Sequence, residues 1–284
     1  MSPLIATRGG AAASAYGLTS VGKPTVTGGT LASDSTYYYR TFTANGTLTV
    51  TGGDLPCDIL VVSGGGAGSN AQIIYSPFMN LLVGGGGGAG GLKLFTQTLP
   101  ASAHTVTVGA GGSGAVGNSS SLGSYSTTGG GFFQTNGGSG QGKSYWNNGT
   151  ANAGAGISGE GNAGADFFNG VVQGGKAGGG GGSGSAGSSG NGGDGTNAYS
   201  SWATATSTGV SGRYAAGGAG SNNPTGGGLG GGGGGSVNTT GGNGTANTGS
   251  GGGGTSVTVD PSSATGGNGG SGIVIVRYLK SAVA

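Results

Sequence analysis

The run Gly137-Gly-Ser-Gly-Gln-Gly142-Lys143-Ser144 matches the pattern Gly-x-x-x-x-Gly-Lys-Ser. In a nucleotide hydrolase that pattern folds into a loop whose backbone N–H groups cradle phosphates, with the lysine reaching the terminal phosphates. The chemistry needs a buried strand before the loop and a helix after it, so that the helix N-terminus faces the anion. Here Phe132-Phe133-Gln-Thr precedes and Tyr145-Trp146-Asn-Asn-Gly follows, and neither reads as the required element. With 80 glycines in 284 residues such a match is expected by chance, as are the repeated Gly-x-Gly-x-x-Gly spacings. The single histidine, His104, heads a Thr/Val run with no acidic or cysteine neighbour, which suits a structural or exposed ring better than a general base. The acids Asp34, Asp54, Asp58, Glu160, Asp166, Asp194 and Asp260 are dispersed, and Gly192-Gly-Asp194 lacks the repeat that builds a calcium site. The expectation is a non-enzymatic chain with no catalytic residue, no cofactor and no metal.

Recognition chemistry remains, and the aromatic residues are its best carriers. Tyr75, Phe78, Phe132, Phe133, Tyr145, Trp146, Phe167, Phe168, Trp202 and Tyr214 sit in short islands between glycine tracts that offer no core of their own. They either pack together and lock the edges of an ordered glycine structure, or form an apolar face for a partner or a glycan. Tyr145 and Trp146 are the foremost contact candidates. The threonine ranks Thr47-Leu-Thr49 and Thr105-Val-Thr107 resemble an ice-binding face, but read more simply as the polar side of half-exposed strands.

The elements that position these islands follow from where apolar residues fall. Tyr37 to Phe42 is rich in strand formers, Asn45-Gly46 is a strong hairpin turn, and Thr47 to Thr51 alternates. Cys57 to Val62 and Ile273 to Tyr278 are continuous apolar runs, which implies strands covered on both faces. Leu92 to Phe95 and His104 to Val108 add further strands, and Thr255 to Val259 an edge strand. The fold class is therefore all-β, a β-sandwich formed by N-terminal strands and the C-terminal strand. An extended N-terminal arm is expected over residues 1–35, sandwich strands over 36–108 with a first glycine excursion at 64–91, a glycine-rich region over 109–272, and a closing strand over 273–284.

The glycine region needs its own hydrogen bonds. A chain without side chains can form a helix of three residues per turn, rising about 3.1 Å per residue, with every N–H and C=O pointing outward. Several such helices side by side satisfy one another's backbone groups, and only glycine lets their axes approach closely. The regular islands and a terminal strand in need of partners favour such a polyglycine II lattice over a loose linker. Collagen is excluded by the irregular glycine period and by only 7 prolines.

Charged residues are 6% of the chain and the formal net charge is +2, too little to neutralise nucleic acid. No run approaches the length of a membrane helix. The N-terminus has no signal-peptide core, so synthesis in a host cytoplasm is expected. Cys57, the lone cysteine, reads as a small buried residue.

The order of motifs resembles the glycine-rich domain of virion proteins of tailed bacteriophages, including tail fibres and distal adhesins. The resemblance is carried by Tyr39-Arg-Thr-Phe42, Asn45-Gly-Thr-Leu-Thr-Val50, Asp58-Ile-Leu-Val-Val-Ser-Gly-Gly-Gly66, Gly84 to Gly91, Thr105-Val-Thr-Val-Gly-Ala-Gly111, Asn118-Ser-Ser-Ser-Leu122-Gly and Gly269-Gly-Ser-Gly-Ile-Val-Ile-Val-Arg-Tyr278. It spans roughly residues 36 to 279. It implies a structural virion protein displayed on the particle, attaching to a host receptor, protein or glycan, through loops between glycine helices. Its partners would be other virion proteins, docked through Leu4, Ile5, Arg8 and Tyr16 of the arm, and further copies of itself, a trimer among the options. The alternative reading is a capsid or tail decoration protein that self-assembles without a receptor role.

Overall fold

The computed structural model describes residues 22–74, 80–146, 149–169, 175–258 and 262–284. In chain order its elements are β1 (Thr25–Thr27), β2 (Thr30–Ser33), β3 (Tyr37–Phe42), β4 (Gly46–Thr51), β5 (Leu55–Val62), β6 (Ala71–Ile74), β7 (Asn80–Val83), β8 (Leu92–Leu99) and β9 (Ala103–Thr107). From the glycine-rich part come β10 (Ser120–Leu122), β11 (Tyr125–Thr127), β12 (Ser144–Trp146), β13 (Gly149–Ala151), β14 (Phe168–Asn169), β15 (Lys176–Ala177) and the helix α1 (Ser200–Thr206). The last are β16 (Ser236–Val237), β17 (Thr255–Ser256), β18 (Ser262–Ala264) and β19 (Ile273–Leu279).

The fold is all-β, and its base is a sandwich of two five-stranded sheets, ordered β1-β4-β9-β10-β11 and β2-β3-β19-β5-β8. Val26, Leu48, Val50, Val106 and Leu122 of the first face Phe42, Leu55, Ile59, Val61, Val274 and Val276 of the second. The alternate residues of β5 and β19 point the other way. Leu60, Val62, Ile273 and Ile275 join Tyr39 in a second core, covered by Trp202 and Ala203 of α1 and by Tyr214 and Ala215. That is why these two strands are apolar on both faces: each side of their sheet has its own cover.

Three details depart from the sequence reading. The expected hairpin at Asn45-Gly46 does not form, because β3 pairs with β2 and β19 while β4 pairs with β1 and β9. The turn instead carries the chain from one sheet to the other, so Phe42 and Leu48 meet across the core. The sandwich also begins before residue 36, since β1 and β2 belong to it, and it recruits β10 and β11 from within 109–272. The edge strand expected from Thr255 appears as the two-residue β17, parallel to β16, and Val259 lies outside the described residues.

The glycine tracts form a hydrogen-bonded lattice whose centre is Gly84–Gly91. The N–H groups of Gly84, Gly87 and Gly90 donate to the carbonyls of Thr255, Gly252 and Gly249. Those of Gly88 and Gly91 donate to Gly131 and Thr128, and those of Gly86 and Ala89 to Gly178 and Gly181. In return its carbonyls accept from Ser63, Gly66 and Ser69, from Ser139 and Gly142, and from Gly218 and Ser221. Each partner recurs at every third residue, the repeat of a polyproline II-like helix, over bonds of 2.8 to 3.1 Å. The tract thus has six neighbours, three that it donates to and three that it accepts from. None of its residues has a positive φ. Glycine is required here by proximity: a Cβ on Gly84, Gly85, Gly86, Gly87 or Gly88 would lie 2.0 to 2.2 Å from a carbonyl oxygen of an adjoining tract. Ala89 is the exception, and it belongs to the second core beside Leu92.

One hydrogen bond per residue contributes about 0.5–1.5 kcal/mol, while fixing a backbone costs about 1–2 kcal/mol. The tracts therefore depend on having their ends held. The sandwich holds one end, since β5 runs into the tract at Ser63, the central tract runs into β8, and the tract ending at Gly272 runs into β19. Seven residues, about 20 Å of such a helix, separate β5 from Asn70 at the other end. There the sheet β13-β12-β7-β6-β18 and the pairs β14-β15 and β16-β17 close the lattice as a cap.

Candidate contact surface

The cap is assembled from the returns between tracts. Its small core holds Ala71, Val83, Ala177, Val257 and Ala264, with Tyr145 of β12 packed half-buried against them. A buried polar knot fixes the cap to the lattice. Gln141 Nε2 donates to Ser69 Oγ at 2.7 Å and to Ser144 Oγ at 3.0 Å, and its Oε1 accepts the N–H of Gln134 at 2.8 Å. Ser144 Oγ accepts the N–H of Gly85 at 2.9 Å, which completes the donor set of the central tract. At the rim, Lys143 Nζ lies 2.7 Å from Asp166 Oδ1, the lysine side chain 18% and the aspartate 66% exposed. Asn238 and Thr258 tie neighbouring returns together, Nδ2 donating to Oγ1 at 2.7 Å and the Thr258 N–H donating to Asn238 Oδ1 at 2.8 Å.

The phosphate-loop match is one of these tracts. The N–H groups of Gly138, Ser139, Gly140, Gly142 and Lys143 donate to Gly129, Ala89, Asn162, Gly86 and Ala165, and a strand, β12, follows instead of a helix. These donors are spent within the lattice instead of converging on an anion, and Lys143 is paired with Asp166. His104 is half-exposed, its Nε2 3.0 Å from the Pro100 carbonyl. Among the described residues no three of His, Cys, Asp and Glu come together, and no helix is long and apolar enough to cross a membrane.

The aromatic candidates divide by the end of the lattice at which their island turns. Trp202 and Tyr214 turn at the sandwich end and are 3% and 0% exposed, so as contact residues they are corrected: the second core needs them as its cover. Tyr145 and Phe167 lie at the cap, both half-buried, with Trp146 in β12 and Phe168 in β14 beside them in sequence. Phe132 and Phe133 form a half-buried pair, centroids 6.4 Å apart, on a turn closed by Thr135, whose Oγ1 accepts the N–H of Phe132 at 2.9 Å. Tyr75 and Phe78 lie outside the described residues, as do Leu4, Ile5, Arg8 and Tyr16. Sequence reasoning missed Gln141, Ser69 and Ser144. Gln141 stands between two glycines, Ser69 follows Gly68 and Ser144 follows Lys143, so no shared sequence signal marks them.

A comparison with curated proteins gives no match. The family described as "Glycine-rich domain" matches residues 41–279, which takes in the sandwich strands from β4 to β19 as well as every lattice tract. The chain therefore belongs to the glycine-rich domain family.

Proposed function

We propose that the chain is a non-enzymatic structural protein of a bacteriophage virion, displayed on the particle as a tail-fibre or adhesin-like component, and that its cap mediates attachment to the host. The observation that carries this reading is the use of the lattice's backbone groups. Since the tracts direct their N–H and C=O groups to one another and carry few side chains, recognition falls to the returns. The sandwich end buries its aromatic returns, and the cap end presents Tyr145, Phe167 and the Lys143–Asp166 pair at its rim. A rigid scaffold that carries polar and aromatic returns at one end suits a surface that must hold a fixed shape against a partner. The resemblance to phage virion proteins supplies the setting, with other virion proteins and a host receptor, protein or glycan, as partners.

The test is competition for adsorption. Purified chain in excess, added to the parent phage and its host cells, is expected to lower adsorption. The Tyr145→Ser/Phe167→Ser double variant, once shown to be folded, should fail to compete. Particles that carry the chain yet adsorb normally under excess chain would favour the decoration reading instead.

A further inference from the structure

Where the sandwich meets the lattice, the turn around Glu160 leaves a cleft of about 310 Å³. Its wall includes Leu92, Glu160, Asn162, Ser183, Thr196 and Tyr199. Glu160, the only glutamate in the chain, is held at two points. Its carbonyl accepts the N–H of Leu92 at 3.0 Å, and its Oε2 accepts the N–H of Thr128 at 2.8 Å. The side chain lies close over Gly91, where a Cβ would be 2.2 Å from Oε2. So fixed, Oε1 has no protein donor among the described residues. Asn162 is held in the same way, its Nδ2 donating to the Gly182 carbonyl at 2.8 Å, which leaves Oδ1 as an acceptor. Ser183 Oγ donates to the Tyr214 carbonyl and accepts the Thr196 N–H, both at 3.0 Å. Tyr199 stands at one side, its ring fixed edge-on to Trp202 at 5.9 Å and 72°. Leu92 is buried beneath.

The cleft therefore offers two positioned acceptors, an aromatic wall and an apolar floor, with no basic residue in its lining. An anionic ligand would meet the Glu160 carboxylate unpaired, so phosphate and acidic groups are disfavoured. The matching chemistry has several O–H donors on one edge and a C–H face on the other, which is a sugar ring. The volume is at the low end of ligand pockets, about 300–1,000 Å³, and suits one ring. We infer that this cleft binds a single neutral sugar unit, with adjacent hydroxyls donating to Glu160 Oε1 and Asn162 Oδ1 and a C–H face against Tyr199. The site is at the opposite end from the cap and stands independently of the attachment reading.

Saturation-transfer NMR on the full chain with glucose, galactose, N-acetylglucosamine and glucuronate, each alone, tests this. Transfer to at least one of the neutral sugars is expected, with glucuronate weaker. Glu160→Gln, which keeps an acceptor for Thr128, and Tyr199→Ala should each weaken binding by about tenfold, while Thr47→Ser, an exposed change in β4, leaves it unchanged. If Tyr199→Ala does not fold, Glu160→Gln decides alone. No transfer to any neutral sugar, transfer undiminished in Glu160→Gln, or tighter binding of glucuronate would overturn the proposal.

Discussion

The guanidinium of Arg277, on the C-terminal strand, lies 4.5 Å from the ring centroid of Trp202, on the helix inside the glycine-rich part. It also lies 4.4 Å from the ring centroid of Tyr37, and its Nη2 donates to Asp58 Oδ2 at 2.6 Å. One side chain thus fastens three sandwich strands to the cover that the lattice sends back over them. The ring contacts are cation–π in kind, and the Asp58 contact supplies the opposite charge that a half-buried guanidinium needs.

Trp202→Ala is expected to destabilise the protein by about 3–5 kcal/mol, because it empties the second core and strips one face of Arg277. Urea unfolding followed by tyrosine fluorescence and far-UV dichroism measures it. A loss within about 0.5 kcal/mol, the usual range for a surface change, would mean that α1 does not cover the sheet.

Glycine substitutions should separate two causes of glycine use. At Gly87 a Cβ would meet the Gly66 carbonyl oxygen at 2.2 Å, with backbone on every side, so Gly87→Ala should cost about 3 kcal/mol or more. At Gly114 nothing lies within 4 Å and only the φ of +57° resists a side chain, so Gly114→Ala should cost about 1–2 kcal/mol. Equal thermal shifts for the two variants would contradict the close approach of the tracts.

The strands were legible because their side chains state what they need. Ile273 to Tyr278 and Cys57 to Val62 demand two covered faces, and they have them. The pairing of tracts was not legible, since Gly87 has no side chain to specify Gly252, Gly66 or Gly218 as its neighbours. Only the need to satisfy backbone groups could be read, and it gave the kind of lattice without its register. The helix α1 escaped notice because Ser200–Thr206 is short and has no side-chain cap at its start. The opposite fates of Trp202 and Tyr145 were hidden for the same reason as the register: which end of the lattice an island reaches depends on the direction of the tract leading to it.

Alkaline pH should weaken the fold. Burial, with Asp58 beside it, pushes the Cys57 thiol up to about 12 from an ordinary value of 9.0. Burial and the hydrogen bond to Asp34 likewise push the Tyr39 phenol up to about 12 from 10.0. Between those values the folded protein keeps protons that the unfolded chain releases, so stability is full below pH 9 and falls as pH rises towards 12. For Cys57 the slope is at most about 1.4 kcal/mol per pH unit. Thermal midpoints measured from pH 8 to 11.5 should decline from about pH 9, and Cys57→Ala should delay that decline towards pH 10. An unchanged midpoint across the range would contradict the buried thiol. Iodoacetamide at pH 8 should leave Cys57 unmodified until the chain is denatured.

The lattice is the central claim, and amide hydrogen exchange resolved along Gly84–Gly91 tests it most directly. In a lattice with six neighbours these amides open only when the whole structure opens, so they should exchange as slowly as those of Ile273–Leu279 in the middle of the sandwich. Exchange of Gly86, Gly87 and Gly88 at the rate of a free peptide, while Ile273–Leu279 stays protected, would contradict it.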